Sequence, residues 1–146
     1  MKDMVVLGIG NRLMMDDGIG VYVAEELKKR NTSPAVRYVI GETDFYYCLS
    51  QIDEAAYVII IDAACLGNEP GTISVIPLQQ IFNNPMQQIN VHESHILNEI
   101  KMVGRSIDGM FIGIEPYMLD YSFGLSSVLQ TQCFTIVDKI EKIITR

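Results

Sequence analysis

Three aspartates lie at positions where acid–base or metal chemistry could be assembled. Asp16 and Asp17 close a loop that starts at Gly8, and Asp62 directly follows the apolar run 57–61. A carboxylate at a helix start accepts free amide protons at the positive end of the helix dipole, so capping is the favoured interpretation of Asp16. Two adjacent carboxylates cannot both be good caps, which leaves one to face a cation. Asp62 is either a functional acid or a hydrogen-bond anchor for loop amides.

The two histidines of the chain, His92 and His95, lie three residues apart. That spacing puts both rings on nearly the same side of a helix, where they form a metal-binding face or where one of them caps or packs. With Asp17 and Asp62 at the same end of a sheet, at least one histidine is predicted to bind metal. Two carboxylates and an imidazole suit nickel, zinc, iron or manganese, and this donor set does not choose among them.

Two other kinds of chemistry are disfavoured by residue spacing. The loop from Gly8 to Gly10 begins like a dinucleotide fingerprint, but Leu13 stands at the position of the third glycine, and the acidic pair would repel a pyrophosphate. The sequence has no Gly-x-Ser-x-Gly elbow, and its two histidines are one residue too close for the zinc-protease motif. Nucleotide binding is therefore the weaker hypothesis, and the ordinary protease classes are excluded.

The segments that must position these residues alternate between strands and helices. Strands are predicted at residues 4–9, 36–40, 57–61, 72–76 and 109–114. Helices are predicted at residues 19–30, 46–52, 96–103 and 125–144, with a loop between 77 and 92. This order predicts a three-layer α/β/α sandwich with a mainly parallel central sheet of about five strands, in which 57–61 is central and 72–76 lies near an edge. Ligands of such sheets bind beyond the carboxyl ends of the strands.

Composition limits the partners and the cellular setting. The chain of 146 residues is 49% hydrophobic and has a net charge of −7, which predicts one domain over residues 1–146 and disfavours a nucleic-acid partner. No apolar run is long enough to span a bilayer and no leader is evident, so a cytoplasmic protein without membrane insertion is predicted. The spacing of Cys48, Cys65 and Cys133 supports neither a disulfide framework nor a zinc knuckle, so these cysteines are interpreted as reduced packing residues.

Several motifs, taken in order along most of the chain, resemble those of the hydrogenase maturation endopeptidases. They are Gly8-x-Gly10-Asn11-x-Leu13-x-x-Asp16-Asp17-Gly18-x-Gly20, Asp62-Ala63, Pro70-Gly71-Thr72-Ile73, the His92 segment, Gly113-Ile114-Glu115-Pro116 and Phe123-Gly124-Leu125-Ser126. The resemblance implies an aspartic-type endopeptidase that removes the C-terminal extension of a nickel-iron hydrogenase large-subunit precursor after nickel insertion. The implied partner is that precursor, and single-domain size permits a monomer that docks on it transiently.

By position, the resemblance implies that Asp17, Asp62 and His92 are the catalytic and metal-contacting residues. The nickel they contact would be supplied by the precursor, so that the metal serves as a checkpoint for maturation. Another divalent ion, such as zinc or cadmium, could occupy the same site in a crystal. A bound metal can orient the scissile bond, polarise its carbonyl or lower the pKa of a water molecule.

The sequence departs from the family pattern at three places. Many relatives have a glutamate where Asp17 stands. Many relatives have an aspartate where Ile40 stands, and Glu42 or Asp44 could substitute for it. His95 occupies a position where the family often has glycine, so its role and the number of ligands stay open. The alternative functions are a nickel-binding chaperone or sensor without hydrolytic activity and a nucleotide-binding domain that uses the Gly8 loop.

Overall fold

A computed structural model of the chain describes residues 3–30, 33–83, 95–103 and 107–145. These residues form a five-stranded sheet in the order β2-β1-β3-β5-β4. Its strands are β1 (Met4–Ile9), β2 (Val36–Glu42), β3 (Tyr57–Ala63), β4 (Ile73–Pro77) and β5 (Gly109–Ile114). The pairs β1–β2, β1–β3 and β3–β5 are parallel, and β4 is antiparallel to β5.

Helices cover both faces of this sheet. They are α1 (Ile19–Arg30), α2 (Phe45–Ile52), α3 (Leu78–Asn83), α4 (His95–Val103) and α5 (Ser127–Ile144). Helices α1 and α5 pack on the face that carries Ile59 and Ile61, while α2, α3 and α4 pack on the face that carries Val58 and Ile60. The predicted three-layer α/β/α sandwich is confirmed. Within the described residues, no helix combines the length and the apolar character that crossing a membrane requires.

The position of each strand follows from how apolar its two faces are. Strand β3 lies in the middle of the sheet, and its residues Val58 to Ile61 are all buried because both faces are covered. Strand β4 lies at the edge, where alternate residues such as Val75 remain exposed. Both predicted positions, central for 57–61 and near the edge for 72–76, are confirmed.

One element was missed. The stretch after β4 was predicted to be a loop as far as His92, but residues 78–83 form helix α3. Leu78, Ile81 and Phe82 have the i, i+3, i+4 spacing of a helix face and pack on the core beneath the sheet. Six residues are too few to show this periodicity clearly in a sequence, so tertiary packing decides the conformation.

The parallel register brings the carboxyl ends of four strands to one edge of the sheet. Gly8 pairs with both Ile40 and Ile61, and Asp62 pairs with Gly113. The segments that follow β1, β2, β3 and β5 therefore all leave the sheet at the same edge, which we call the carboxyl edge. The candidate acids Asp17 and Asp62 belong to two of these segments.

Candidate functional site

Two glycines allow the start of α1 to approach the carboxyl edge closely. Gly10 has a φ of +141°, and a Cβ atom there would lie 2.1 Å from the carbonyl oxygen of Asp17. A Cβ atom on Gly20 would lie 2.2 Å from the carbonyl oxygen of Ile61 and 2.6 Å from that of Ile9. In the dinucleotide fingerprint, the third glycine allows the helix to pack closely on the strand. Leu13 stands at that position in this chain, and Gly20 provides the close packing instead.

The Gly20→Ala substitution is expected to destabilise the fold and to impair the site. The added methyl group meets backbone atoms that cannot rotate away, so α1 must move off the sheet at a cost of about 1–3 kcal/mol. Thermal unfolding and processing activity measure the two effects, with the exposed Lys29→Ala in the same helix as the control. If Gly20→Ala unfolds at the same temperature as the wild type, α1 does not pack as closely on the sheet as the structure shows.

Asp17 is held in place by the loop that precedes it. Its side chain lies in the 3-10 turn Met15–Gly18, is 4% exposed, and accepts a hydrogen bond at Oδ2 from the backbone N–H of Asn11 at 2.9 Å. A buried carboxylate with one oxygen fixed by a backbone donor has a defined orientation. Asp17 therefore contributes an immobilised negative charge at the carboxyl edge.

Asp16 does not cap α1, so that interpretation is wrong. Its carboxylate is fully buried and accepts hydrogen bonds from Ser126 N and Oγ (2.7 Å each), Met118 N (2.9 Å) and Tyr117 N (3.0 Å). Ser126 is itself the N-cap of α5 and accepts from Leu129 N. Asp16 therefore joins the loop between β1 and α1, which we call the glycine loop, to the segment 117–126. The two adjacent acids thus have different roles, since Asp16 holds this segment and Asp17 faces the carboxyl edge.

Asp62 emerges from the end of β3 into the same buried region. It is 3% exposed, and its Oδ1 accepts a hydrogen bond from Ala63 N at 2.7 Å. Burial raises the pKa of Asp62 well above its usual range, the negative charge of Asp17 raises it further, and the Ala63 hydrogen bond opposes both. Two buried carboxyl groups that disfavour each other's ionisation form a region that a cation would stabilise.

Glu115 is a buried acid at the carboxyl edge whose structural role the sequence did not reveal. It follows β5 at the carboxyl edge, is 7% exposed, and accepts hydrogen bonds at Oε1 from Leu66 N (2.9 Å) and Asn68 N (3.2 Å). These bonds hold the loop that continues from Asp62. The available signal was an acid placed directly after a predicted strand, in the Glu115-Pro116 dipeptide.

Cys65 lies in that loop but is a poor candidate nucleophile. Burial raises the pKa of its thiol, and the negative charges of Glu115, Asp17 and Asp62 raise it further. Because only the thiolate is strongly nucleophilic, this environment keeps the sulfur unreactive. All three cysteines are free, as predicted, and burial together with the charge of Asp44 raises the pKa of Cys48 to about 11.

The two acids considered as substitutes for the family's missing aspartate have structural partners. Arg12 binds Glu25 through two hydrogen bonds of 3.0 and 2.9 Å and binds Glu42 through its Nε at 2.9 Å. Asp44 is the N-cap of α2 and accepts from Tyr47 N at 3.1 Å. Glu42 therefore ties the end of β2 to the glycine loop, and Asp44 starts a helix.

The histidine part of the prediction is not tested by the structure. His92 lies outside the described residues, as does the side chain of His95, at which α4 begins. Among the described side chains, no three histidines, cysteines or carboxylates are grouped closely enough to hold a metal ion. The structure brings Asp17 and Asp62 close enough for their charges to interact.

Comparison with known proteins gives a consistent result. A family model described as hydrogenase maturation protease matches residues 21–143. The chain is 31% identical over 131 residues to a Methanocaldococcus jannaschii protein assigned as a hydrogenase maturation protease, covering 86% of this chain and 85% of that protein. It is 36% identical over 124 residues to the hydrogenase expression/formation protein HoxM of Azotobacter vinelandii, covering 81% of this chain but 60% of HoxM.

The fold is shared with a solved structure. The [NiFe] hydrogenase maturation protease HybD from Thermococcus kodakarensis superposes with a TM-score of 0.77 and 22% sequence identity, over 97% of this chain and 98% of that one. At that identity the similarity establishes the fold alone. The glycine loop and Asp17 precede the residues that the family model matches, so the assignment of Asp17 depends on the motif and on its contacts in the structure.

Proposed function

The chain belongs to the hydrogenase maturation protease family, and we propose that it removes the C-terminal extension from a nickel-iron hydrogenase large-subunit precursor, using the precursor's nickel for recognition. The family predicted from the motifs is confirmed, and with it the class of peptide-bond hydrolase. The observation that carries the proposed site is the pair of buried carboxyl groups, Asp17 and Asp62, at the carboxyl edge.

This pair is suited to a metal ion that arrives with the substrate. Both groups are almost completely buried, and the neighbouring Asp17 disfavours ionisation of Asp62, so a cation bound by the two groups would stabilise them. A divalent ion bound by both groups would favour the ionised form of Asp62 and so would lower its pKa. We propose His92 as the third ligand, because an imidazole added to two carboxylates suits nickel.

Water is the attacking group that these residues favour. Among the described residues at the carboxyl edge, the nearest thiol, Cys65, is kept protonated by its surroundings. The nickel supplies positive charge that can polarise the scissile carbonyl or lower the pKa of a water molecule. Asp17 and Asp62 would position the nickel ion that carries this charge. Glu115 holds the loop that continues from Asp62.

The His92→Ala substitution tests the proposed ligand set. Loss of one of three protein ligands is expected to reduce cleavage of the nickel-loaded precursor by at least about 100-fold. The shortening of the precursor on a denaturing gel measures the rate, and His95→Ala is the matched control, expected to lose less. Processing by His92→Ala at the wild-type rate would show that His92 is not a ligand.

A further inference from the structure

A group of large apolar side chains is exposed beside the proposed site. Its members come from the glycine loop and from the segment after β5, and they are Leu13, Tyr117, Met118, Tyr121 and Phe123. Tyr121 is 87% exposed and Phe123 is 72% exposed. We call these five residues the aromatic patch. Exposed aromatic side chains that share one surface are typical of protein interaction sites.

The backbone beneath the aromatic patch is held by hydrogen bonds between its two segments. Ser122 N donates to Leu13 O and Met15 N donates to Ser122 O, both at 3.0 Å. Gly124 N donates to Arg12 O at 3.2 Å, and Met14 and Ser122 form a parallel bridge. A surface whose backbone is already ordered loses little conformational entropy when a partner binds.

Further hydrogen bonds connect the aromatic patch to the proposed site. The carboxylate of Asp16 accepts from Tyr117 N and Met118 N, and Asp16 N donates to Met118 O at 3.2 Å. Asp17 is the next residue in the chain and is one of the two acids at the carboxyl edge. A protein that docks on the aromatic patch is therefore placed at a fixed offset from Asp17.

The chemistry of the patch favours a folded apolar surface over an extended peptide. The backbone N–H groups of Met15, Met118, Ser122 and Gly124 already donate hydrogen bonds within the protein, so these four groups are not available to pair with an added strand. Asp120 is the single charged residue between 117 and 124, so the contact must be made mainly by apolar side chains. Three exposed aromatic rings supply about half of the roughly 800 Å² that one partner contributes to a standard interface.

We propose that the aromatic patch is the docking surface for an apolar area on the folded body of the precursor, separate from the tail that is cut. This inference rests on the proposed function. Docking at a distance from the scissile bond supplies binding energy that holds the bond at Asp17 and Asp62. A protease of this kind would select its precursor by shape as well as by nickel.

The double substitution Tyr121→Ser and Phe123→Ser tests the proposal with the nickel-loaded precursor as substrate. We expect KM for processing to rise at least tenfold, with kcat within about twofold of the wild type, because only docking is weakened. Phe134→Ser is the matched control, since Phe134 is 65% exposed on α5 and lies outside the patch. Thermal unfolding checks that both variants fold, and the exposure of all three rings predicts unchanged melting temperatures.

Binding without cleavage provides a second measurement. In an Asp17→Asn background, the patch substitutions should weaken binding of the nickel-loaded precursor at least tenfold, and Phe134→Ser should not. Unchanged KM and unchanged binding, or an equal loss in Phe134→Ser, would overturn the docking proposal. If the patch substitutions abolish self-association of the protease and leave precursor binding intact, the surface belongs to a second copy of the chain. A wild type that does not cut the precursor contradicts the proposed function itself.

Discussion

Asp17→Asn is expected to abolish processing of the nickel-loaded precursor while leaving the fold intact. The substitution keeps an oxygen that can accept the hydrogen bond from Asn11 N but removes the negative charge from the carboxyl edge. If Asp17 contacts the nickel of the precursor as proposed, loss of its charge is expected to cost at least about 100-fold in rate. The amount of shortened large subunit over time measures this loss, and thermal unfolding checks stability.

The neighbouring acid provides the matched control, because its expected phenotype is the reverse. Asp16→Ala leaves the backbone N–H groups of Tyr117, Met118 and Ser126 without their acceptor in a buried region. Each buried donor left unpaired costs about 1–3 kcal/mol, so for three donors a total loss of at least about 3 kcal/mol in the free energy of unfolding is expected. Asp16→Ala should therefore lower the free energy of unfolding, whereas Asp17→Asn should lower only the rate of processing.

Two results would contradict this division of roles. If Asp17→Asn processes the precursor at the wild-type rate, Asp17 is not part of the active site. A melting temperature for Asp16→Ala equal to that of the wild type would show that its four hydrogen bonds do not hold the segment 117–126.

Asp62→Asn is expected to stabilise the metal-free protein and, at the same time, to abolish processing. The amide keeps an oxygen for the hydrogen bond from Ala63 N and is neutral at every pH, whereas burial and the neighbouring Asp17 disfavour ionisation of the Asp62 carboxyl group. Under the proposed function, this carboxyl group engages the nickel of the precursor, so its loss is expected to stop processing. A gain of about 1 kcal/mol in the free energy of unfolding would raise the melting temperature by a few degrees.

The stabilisation should depend on pH with a definite sign. Since the folded-state pKa of Asp62 is raised above that of the unfolded chain, the folded wild type binds more protons between those two values. Its free energy of unfolding therefore falls as pH rises through this window. Asn does not titrate, so the advantage of Asp62→Asn should be absent below about pH 4 and should grow with pH.

Thermal unfolding in the presence of a chelator, from acid to neutral pH, measures this difference. The exposed Asp108→Asn is the control and should follow the wild type at every pH. If Asp62→Asn is less stable than the wild type at neutral pH, the buried carboxyl group is stabilising and the electrostatic description of the pair is wrong.

The sequence predicted the sheet well because burial on both faces leaves a clear signal. The run 57–61 contains only apolar residues, and it forms the centre of the sheet with both faces covered. Helix α3 was missed because its six residues take their conformation from packing of Leu78, Ile81 and Phe82 on the core. Because α3 begins directly after the edge strand β4, no loop residues mark its start in the sequence.

The contacts of the candidate site were less predictable because they are distant in sequence. Asp16 was interpreted as a local cap, and its partners lie about 100 residues away in the segment 117–126. Glu115 likewise holds the loop after Asp62, although it lies nearly 50 residues away from that loop in the sequence. Spacing identified Asp62 as an acid at a strand end, but only the tertiary structure shows that it lies close enough to Asp17 for their charges to interact.

The most direct test of the central claim compares nickel-loaded and nickel-free precursor incubated with the same wild-type protease. Cleavage is followed by the gel shift of the large subunit when its C-terminal extension is lost. Under the proposed function, in which Asp17 and Asp62 engage the substrate through its nickel, we predict cleavage of the nickel-loaded precursor and none of the nickel-free one. Equal cleavage of both precursors would contradict recognition through nickel, and nickel binding without any cleavage would instead indicate a chaperone or sensor.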